Sequence, residues 1–585
     1  MNRVLGATLL GILVILSLVL GRPGAVAARS PLFVAYPPNQ HQTVAEQIFL
    51  IGSAPPAGDV FVNNQRIERS PAGHFAPSFP LALGENRFRL SYGDQEIELS
   101  VTRLAVSPAI PQGAAFAENS LIPSQPIARL SGESICFSAI AAPEATVTVR
   151  LGTRTIPLQL QPSVELPANN GVLTGNNQIF RSQNGQFQGC TRFSEPGNLE
   201  TPIYQLNLHG ERLSQPSPAT VTILSPDALK VVAVTAEAGV ARTGPGSDYS
   251  RLTPLPQGAQ AAVTGQEGEW LRLDYGAWIR ANETQAIAST IPPQSLIRGI
   301  TSRQLSQATE IVFPLQVPVP ITVQQSDSIF TLTLHHAIAQ TDTIRLNDDP
   351  LIKRLDWQQV TPTQVQYQFQ LKTQQQWGYG LRYEDTTLIL TLRHPPSRSL
   401  RDSKILLDPG HGGEEFGARG PDGTPEKDIN LIVSKLLQTA LEQRGTTVYL
   451  TRESDRTVSL VERVKAIERL QPTLALSIHY NALPDGGDAL NTAGIGMFWY
   501  HPQAHNLAIF LHNYLVKTLS RPSYGVFWNN LALTRPHTAP SLLLELGFMI
   551  NPLEFEWITN PLEQQRLANA IADGMVEWFA SLEQD

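Results

Sequence analysis

Cysteine is almost absent: Cys136 and Cys190 are the two in 585 residues. Both fall in one stretch of predicted strands, far from every residue with catalytic character, which excludes a metal centre built on thiolates. In an exported protein the pair could form a disulfide, and two buried thiols are the alternative. Charge is scarce as well. Charged side chains make up 16% of the chain and the net charge is −8, with no block of Lys or Arg. That excludes nucleic-acid binding through phosphate neutralisation. The 45 prolines and 42 glycines are spread along a chain that is 42% hydrophobic. Such a composition fits neither a disordered nor a coiled-coil protein. A length of this order implies roughly three to five domains, and the pattern is a string of small β-rich modules.

Residues 1–28 read as a targeting segment. Arg3 precedes an apolar run from Val4 to Leu20, Arg22-Pro23 breaks it, and Ala25-Val26-Ala27 offers small residues for cleavage. Export to the periplasm or cell envelope follows. The one contact with a membrane would be this segment, if it stays uncleaved as an anchor.

Four β-rich stretches come next. In 30–103, short alternating runs such as Val60–Val62 and Phe88–Leu90 are separated by Pro55-Pro56, Asn63-Asn64 and Gly84-Glu85-Asn86. The order "VFVNNQRI…GHFAPSFPLALGENRFRL" resembles bacterial immunoglobulin-like modules. Residues 114–226 give a second sandwich-like stretch, with loops at Asn169-Asn170-Gly171 and Gly175-Asn176-Asn177. Residues 229–286 carry Arg242, Pro245, Tyr249, Gly258, Trp270 and Trp278-Ile279 in an order that resembles a bacterial SH3-like domain, a family with many members that bind cell-wall peptides. Trp270 and Trp278 are expected in its core, because so small a barrel needs bulky filling. Residues 299–394 are strand-rich and resemble AMIN-like modules in position and pattern. Their His335-His336 pair does not chelate one ion, since neighbours on a strand face opposite sides.

After Leu400 strands alternate with helices, which implies a sheet covered on both faces. Strands are expected at Lys404–Leu407, Thr447–Thr451, Thr473–Ile478, Gly496–Tyr500 and Ser541–Glu545. Helices are expected at Glu426–Arg444, Val458–Leu470, Gln503–Leu519 and Pro561–Phe579. Polar residues gather where these elements end. His411 follows the first strand in "DPGHGG", Glu426 opens the first long helix, His479 ends a strand, and Glu545 ends an apolar strand. Ligands of open α/β sheets bind outside the carboxyl ends of the strands. Two histidines and one carboxylate with an open fourth position form the ligand set of several catalytic zinc sites. His411, Glu426 and His479 supply it for one zinc ion, and Glu545 remains as general base. A carboxylate on an apolar strand needs a polar partner or site, because burying it alone costs several kcal/mol.

The motifs "ILLDPGHGG", "PEKDINL", "TRESD", "LSIHYNA" and "LLELGFMIN" occur in the order found in the amidase_3 family of N-acetylmuramoyl-L-alanine amidases, and the resemblance covers 402–583. It implies a six-stranded, mostly parallel or mixed α/β sheet with one zinc on His411, Glu426 and His479, and Glu545 as catalytic glutamate. The implied substrate is peptidoglycan, cut between N-acetylmuramic acid and L-alanine. The rival readings are a zinc peptidase acting on stem peptides and an inactive wall-binding protein. Some relatives insert an inhibitory helix after the second histidine, released by an activator protein. Here Leu483–Ala493 is short and rich in Gly and Asp, so no helix and no activator are expected. Asn481 and His537 are expected to line the substrate cleft. His505 is read as a helix start rather than a ligand. The whole is a multidomain chain: small all-β modules, then one α/β catalytic domain.

Overall fold

The computed structural model describes residues 31–105, 110–166, 180–181, 185–289, 293–346, 348–396 and 399–582. The leader segment and the two Asn/Gly loops expected between 167 and 179 lie outside them. Among the described residues no helix is long and apolar enough to cross a membrane.

Among the described residues the upstream chain is built of β-strands, with one 3-10 turn at Ala281–Glu283, and each stretch has a separate apolar core. Ile48, Val62, Phe75, Leu90 and Val101 fill the first. In the second, Ser134–Ile140 pairs antiparallel with Gln186–Arg192, and Cys136 stands opposite Cys190, to which it is disulfide-bonded. The second and third stretches share a sheet, because Ile127–Leu130 pairs antiparallel with Gln260–Glu267. In the third, Trp270 and Trp278 are both buried, but outside its apolar cluster of Val234, Leu255 and Ile279, each ring covered by a guanidinium, of Arg242 and Arg129 respectively. The fourth is built of two sheets, one of five strands and one of four, around Phe313, Phe330, Tyr367 and Leu390. His335 ends one of its strands and His336 follows in the turn, both against the third stretch. The His335 ring lies 4.7 Å from that of Tyr275, and His336 Nε2 is 2.9 Å from Asp274 Oδ1.

The C-terminal domain alternates β1 (Lys404–Pro409), α1 (Glu426–Glu442), β2 (Thr447–Leu450), α2 (Leu460–Leu470) and β3 (Leu474–Asn481). It continues with β4 (Ile495–Trp499), α3 (His505–Leu519), β5 (Ser523–Trp528), β6 (Ser541–Phe548), α4 (Pro552–Thr559) and α5 (Pro561–Ser581). The six strands form one mixed sheet in the order β2-β1-β3-β6-β4-β5. All pairings are parallel except β4 with β6. β1, β3 and β6 are central and buried on both faces, which explains their near-continuous apolar sequences. Residues of α1, α3 and α5 cover one face, and Ile467 of α2 packs with Leu406 and Ala475 on the other. A capping box between Ser459 and Glu462 fixes the start of α2. β5 and α4 have no counterpart in the sequence reading. β5 is a half-exposed edge strand without clear alternation. Helix α4 is short and starts on a capping Asn551 followed by proline.

The first β stretch is packed onto the C-terminal domain. Phe49, Ile51 and Ala76 share an apolar cluster with Ala489, Phe548 and Ile550. The hydroxyl of Tyr36 donates to Asp485, His41 Nε2 lies 2.9 Å from the same carboxylate, and Gln47 donates to the Gly486 carbonyl. Residues 482–494 form turns and hold no helix.

Candidate metal centre

β1, β3 and β6 are adjacent and parallel, so their carboxyl ends open into one crevice. His411 sits two residues beyond β1 at φ 59°, in the left-handed region. Buried arginines hold that turn. Arg452 donates to the carbonyls of Pro409, Gly410 and Lys427, and Arg463 to those of Pro409 and His411. Arg463 is itself paired with Asp408, which also accepts from Thr451 and Ser477. Lys427 and Asp455 tie down Gly413. The backbone of the loop is thereby held from three elements.

Glu426, the first residue of α1, is buried beneath both imidazoles. Its Oε1 lies 3.0 Å from His479 Nδ1 and accepts from the Tyr480 amide and Asn430 Nδ2. Its Oε2 lies 3.2 Å from His411 Nε2 and accepts from the Ala418 amide. Burial alone would raise this carboxyl, but the bonds from His411 and His479 outweigh it and hold Glu426 well below the usual carboxylate range. The other nitrogen of His411, Nδ1, is 3.0 Å from Glu415 Oε1, an outer carboxylate that orients the ring. Burial lowers the His411 imidazole, and the two glutamates more than reverse that, leaving it raised.

The ligand atoms of His411, Glu426 and His479 all lie within 4.8 Å of one another. A tetrahedral zinc site with bonds near 2 Å places its ligand atoms about 3.3 Å apart. Each glutamate oxygen stands near that distance from one histidine nitrogen, Oε1 at 3.0 Å from His479 Nδ1 and Oε2 at 3.2 Å from His411 Nε2. Space is reserved for the rings too. A Cβ at Gly410 would stand 2.2 Å from the His479 ring, and one at Gly417 would stand 2.4 Å from Glu426 Oε2. The donor set and the cradle therefore fit one zinc-type ion.

Glu545 stands in register with His479 on neighbouring parallel strands, so both side chains leave the sheet on the same face. It is 6% exposed, and its Oε2 has no hydrogen-bond partner among the described residues. Burial, followed by repulsion from Glu426, pushes its carboxyl well above the ordinary range. Asn481, two residues past His479, is buried with its Nδ2 unpartnered. His537 is elsewhere. Its ring stacks on Tyr379 of the fourth β stretch at 4.6 Å, and its carbonyl accepts from the Tyr379 amide. His505 opens α3 against the Trp499 ring, outside the cluster. Asp408, Arg452, Arg463 and Glu415 are the supporting residues that sequence reasoning passed over. Asp408 and Arg452 lie inside the quoted motifs, where a charged residue next to a strand end was the available signal.

Residues 405–577 match the family model described as N-acetylmuramoyl-L-alanine amidase, Amidase_3. The C-terminal domain belongs to this family. The chain is similar to a probable cell wall amidase LytH of Staphylococcus epidermidis, 33% identical over 187 residues, or 32% of this chain and 61% of that protein. The corresponding protein of Staphylococcus aureus is 35% identical over 184 residues, 31% of this chain and 60% of its own. The chain thus spans about 61% of the length of such relatives. Among solved structures, the N-acetylmuramoyl-L-alanine amidase AmiC2 of Nostoc punctiforme is 30% identical and covers 30% of this chain and 97% of its own, with a TM-score of 0.29. The catalytic domain of CwlV from Bacillus (Paenibacillus) polymyxa is 29% identical and covers 30% and 98%, with a TM-score of 0.29. All these matches cover about the length of the amidase domain.

Proposed function

We propose that the chain is an exported, zinc-dependent N-acetylmuramoyl-L-alanine amidase that cuts peptidoglycan between N-acetylmuramic acid and L-alanine, in wall remodelling or cell separation. The observation that carries this reading is the buried Glu545 carboxyl, its Oε2 without a hydrogen-bond partner among the described residues, on the same sheet face as three converging metal-type donors. His411, Glu426 and His479 would hold the ion. Bound there, zinc supplies Lewis acidity, which polarises a carbonyl and makes water acidic near neutral pH. Glu545 Oε2 is the atom that takes the proton of the attacking water and returns it to the departing amine of L-alanine. Asn481 Nδ2 is a free donor two residues beyond His479 and would bind a substrate carbonyl.

The upstream stretches read as immunoglobulin-like, SH3-like and AMIN-like modules that keep the enzyme on its insoluble substrate, raising local concentration without touching the chemistry. Residues 482–494 form turns against the first β stretch, and digestion by the chain alone tests whether an activator protein is required. The test is mass spectrometry of purified sacculi digested by the full chain alone, with added zinc or with chelator. Free peptides beginning with L-alanine and intact glycan strands are expected, and none with chelator. Peptides cut internally would identify a stem-peptide peptidase instead, and an absence of products with zinc would leave a wall-binding protein.

A further inference from the structure

A cavity of about 1850 Å3 lies away from the metal centre. It opens where the third and fourth β stretches meet the amidase domain. Lys404, the first residue of β1, and Thr473, just before β3, line it, and none of His411, Glu426, His479 or Glu545 does. The cleft therefore lies at the amino end of those strands, away from the catalytic crevice.

Its charge runs against that of the molecule. Seven Lys and Arg against four Asp and Glu line the cleft, in a chain whose net charge is −8. Arg382 is neutralised by Glu310 and Glu384. Arg251 of the third stretch and Arg535 of the amidase domain, both half-buried, have no carboxylate in salt-bridge range among the described residues. Burial lowers the Arg535 guanidinium to about 10, with repulsion from Arg251 and Arg242 adding to it, and burial also lowers that of Arg251, against the opposing pull of Tyr500 and Glu283. Partly desolvated cations that repel across a module junction are favoured by an anion between them. Guanidinium forks suit an oxyanion, which they can take bidentately.

An aromatic shelf adjoins them. Trp528 is 58% exposed, lines the same cleft, packs beside the Tyr500 ring at 5.2 Å and donates from Nε1 to the Tyr500 carbonyl. The Tyr500 hydroxyl in turn reaches the Arg251 carbonyl at 3.4 Å. An exposed indole held in this way offers an apolar face to a pyranose ring.

We propose that this cleft is a second binding site for the wall polymer, in which Arg251 and Arg535 receive a peptide carboxylate and Trp528 carries a sugar ring of the same glycopeptide. The identity of this ligand rests on the function proposed above. In that role the cleft holds one strand of the polymer while the metal centre works on another.

The test uses the full chain. Binding to sacculi is measured in a Glu545→Gln background, so that the polymer survives, and turnover of a soluble muramoyl-peptide fragment is measured in the native background. Arg251→Gln combined with Arg535→Gln, and separately Trp528→Ala, are each expected to weaken sacculus binding about tenfold, leave fragment turnover unchanged and keep the parent melting temperature. Trp528 is largely exposed, so its variant guards against a folding artefact. Unchanged sacculus binding in both variants overturns the proposal, as does displacement by inorganic phosphate at the same concentration as the soluble fragment. If binding falls as expected but the native chain releases no product, the amidase reading fails and the cleft assignment stands. If product is released and binding is unmoved, the reverse holds.

Discussion

A carboxyl as enclosed as Glu545, beside a second carboxylate, is costly to keep ionised, and on an otherwise apolar strand nothing in the packing calls for it. Its place is explained by what the neighbouring strand ends carry. Glu545→Gln keeps the shape and removes the proton acceptor, so murein turnover is expected to fall by about 10²–10⁴-fold. Zinc content, read by atomic emission, is expected to stay at one per chain, because Glu545 is not among the three converging donors. Turnover within tenfold of the parent would remove Glu545 from the chemistry. The metal cluster was legible at this scale because each member stands at the end of a strand or the start of a helix, where patterned sequence gives way to polar residues. His537 was read as part of the cleft on its distance in sequence from Glu545. The structure places it against Tyr379 instead, a contact between residues 158 apart that no local pattern encodes.

At the scale of elements, what holds His411 in its left-handed backbone is a helix on the far side of the sheet turn. Arg463 projects from α2, and its side chain and that of Asp408 are each 2% exposed. Removing one member of such a pair leaves a buried charge, which costs about 3–5 kcal/mol. Arg463→Met is therefore expected to lower stability by that amount in urea unfolding. It should also weaken zinc binding about 10–100-fold, as loss of an outer support does, because the His411 carbonyl loses its Arg463 donor and the Pro409 carbonyl keeps only Arg452. A variant with parent zinc affinity would show that the turn holds itself. The helices and the central strands were readable from apolar runs and caps. The disulfide was not, since the pairing of Cys136 with Cys190 depends on the register of two strands about 50 residues apart. Nor was β5, an edge strand whose sequence lacks the alternation that a half-buried face would impose.

Across the whole molecule, histidines held neutral mark two of the junctions. His335 sits against Tyr275 where the third and fourth stretches meet, and burial takes its imidazole down to about 4. His501 and His537 sit under Tyr379 where the fourth stretch meets the amidase domain. Burial takes His501 to about 4 and His537 to about 3, with repulsion from His501 adding to the latter. In the unfolded chain each would titrate near 6.5. Between these values the unfolded state binds protons that the folded state refuses, so stability rises with pH. The contribution of these histidines is complete above about pH 6.5 and is lost progressively as pH falls towards about 4, at no more than about 1.4 kcal/mol per pH unit for each histidine. Acidification from pH 7.5 to 5 is accordingly expected to loosen both junctions. Limited proteolysis would then cut between the fourth stretch and the amidase domain, and the melting temperature of the full chain would drop. His537→Phe keeps a ring against Tyr379 and cannot take a proton, so its melting temperature should fall less over the same interval. An equal fall in parent and variant would mean that the acid sensitivity of the assembly resides in other groups.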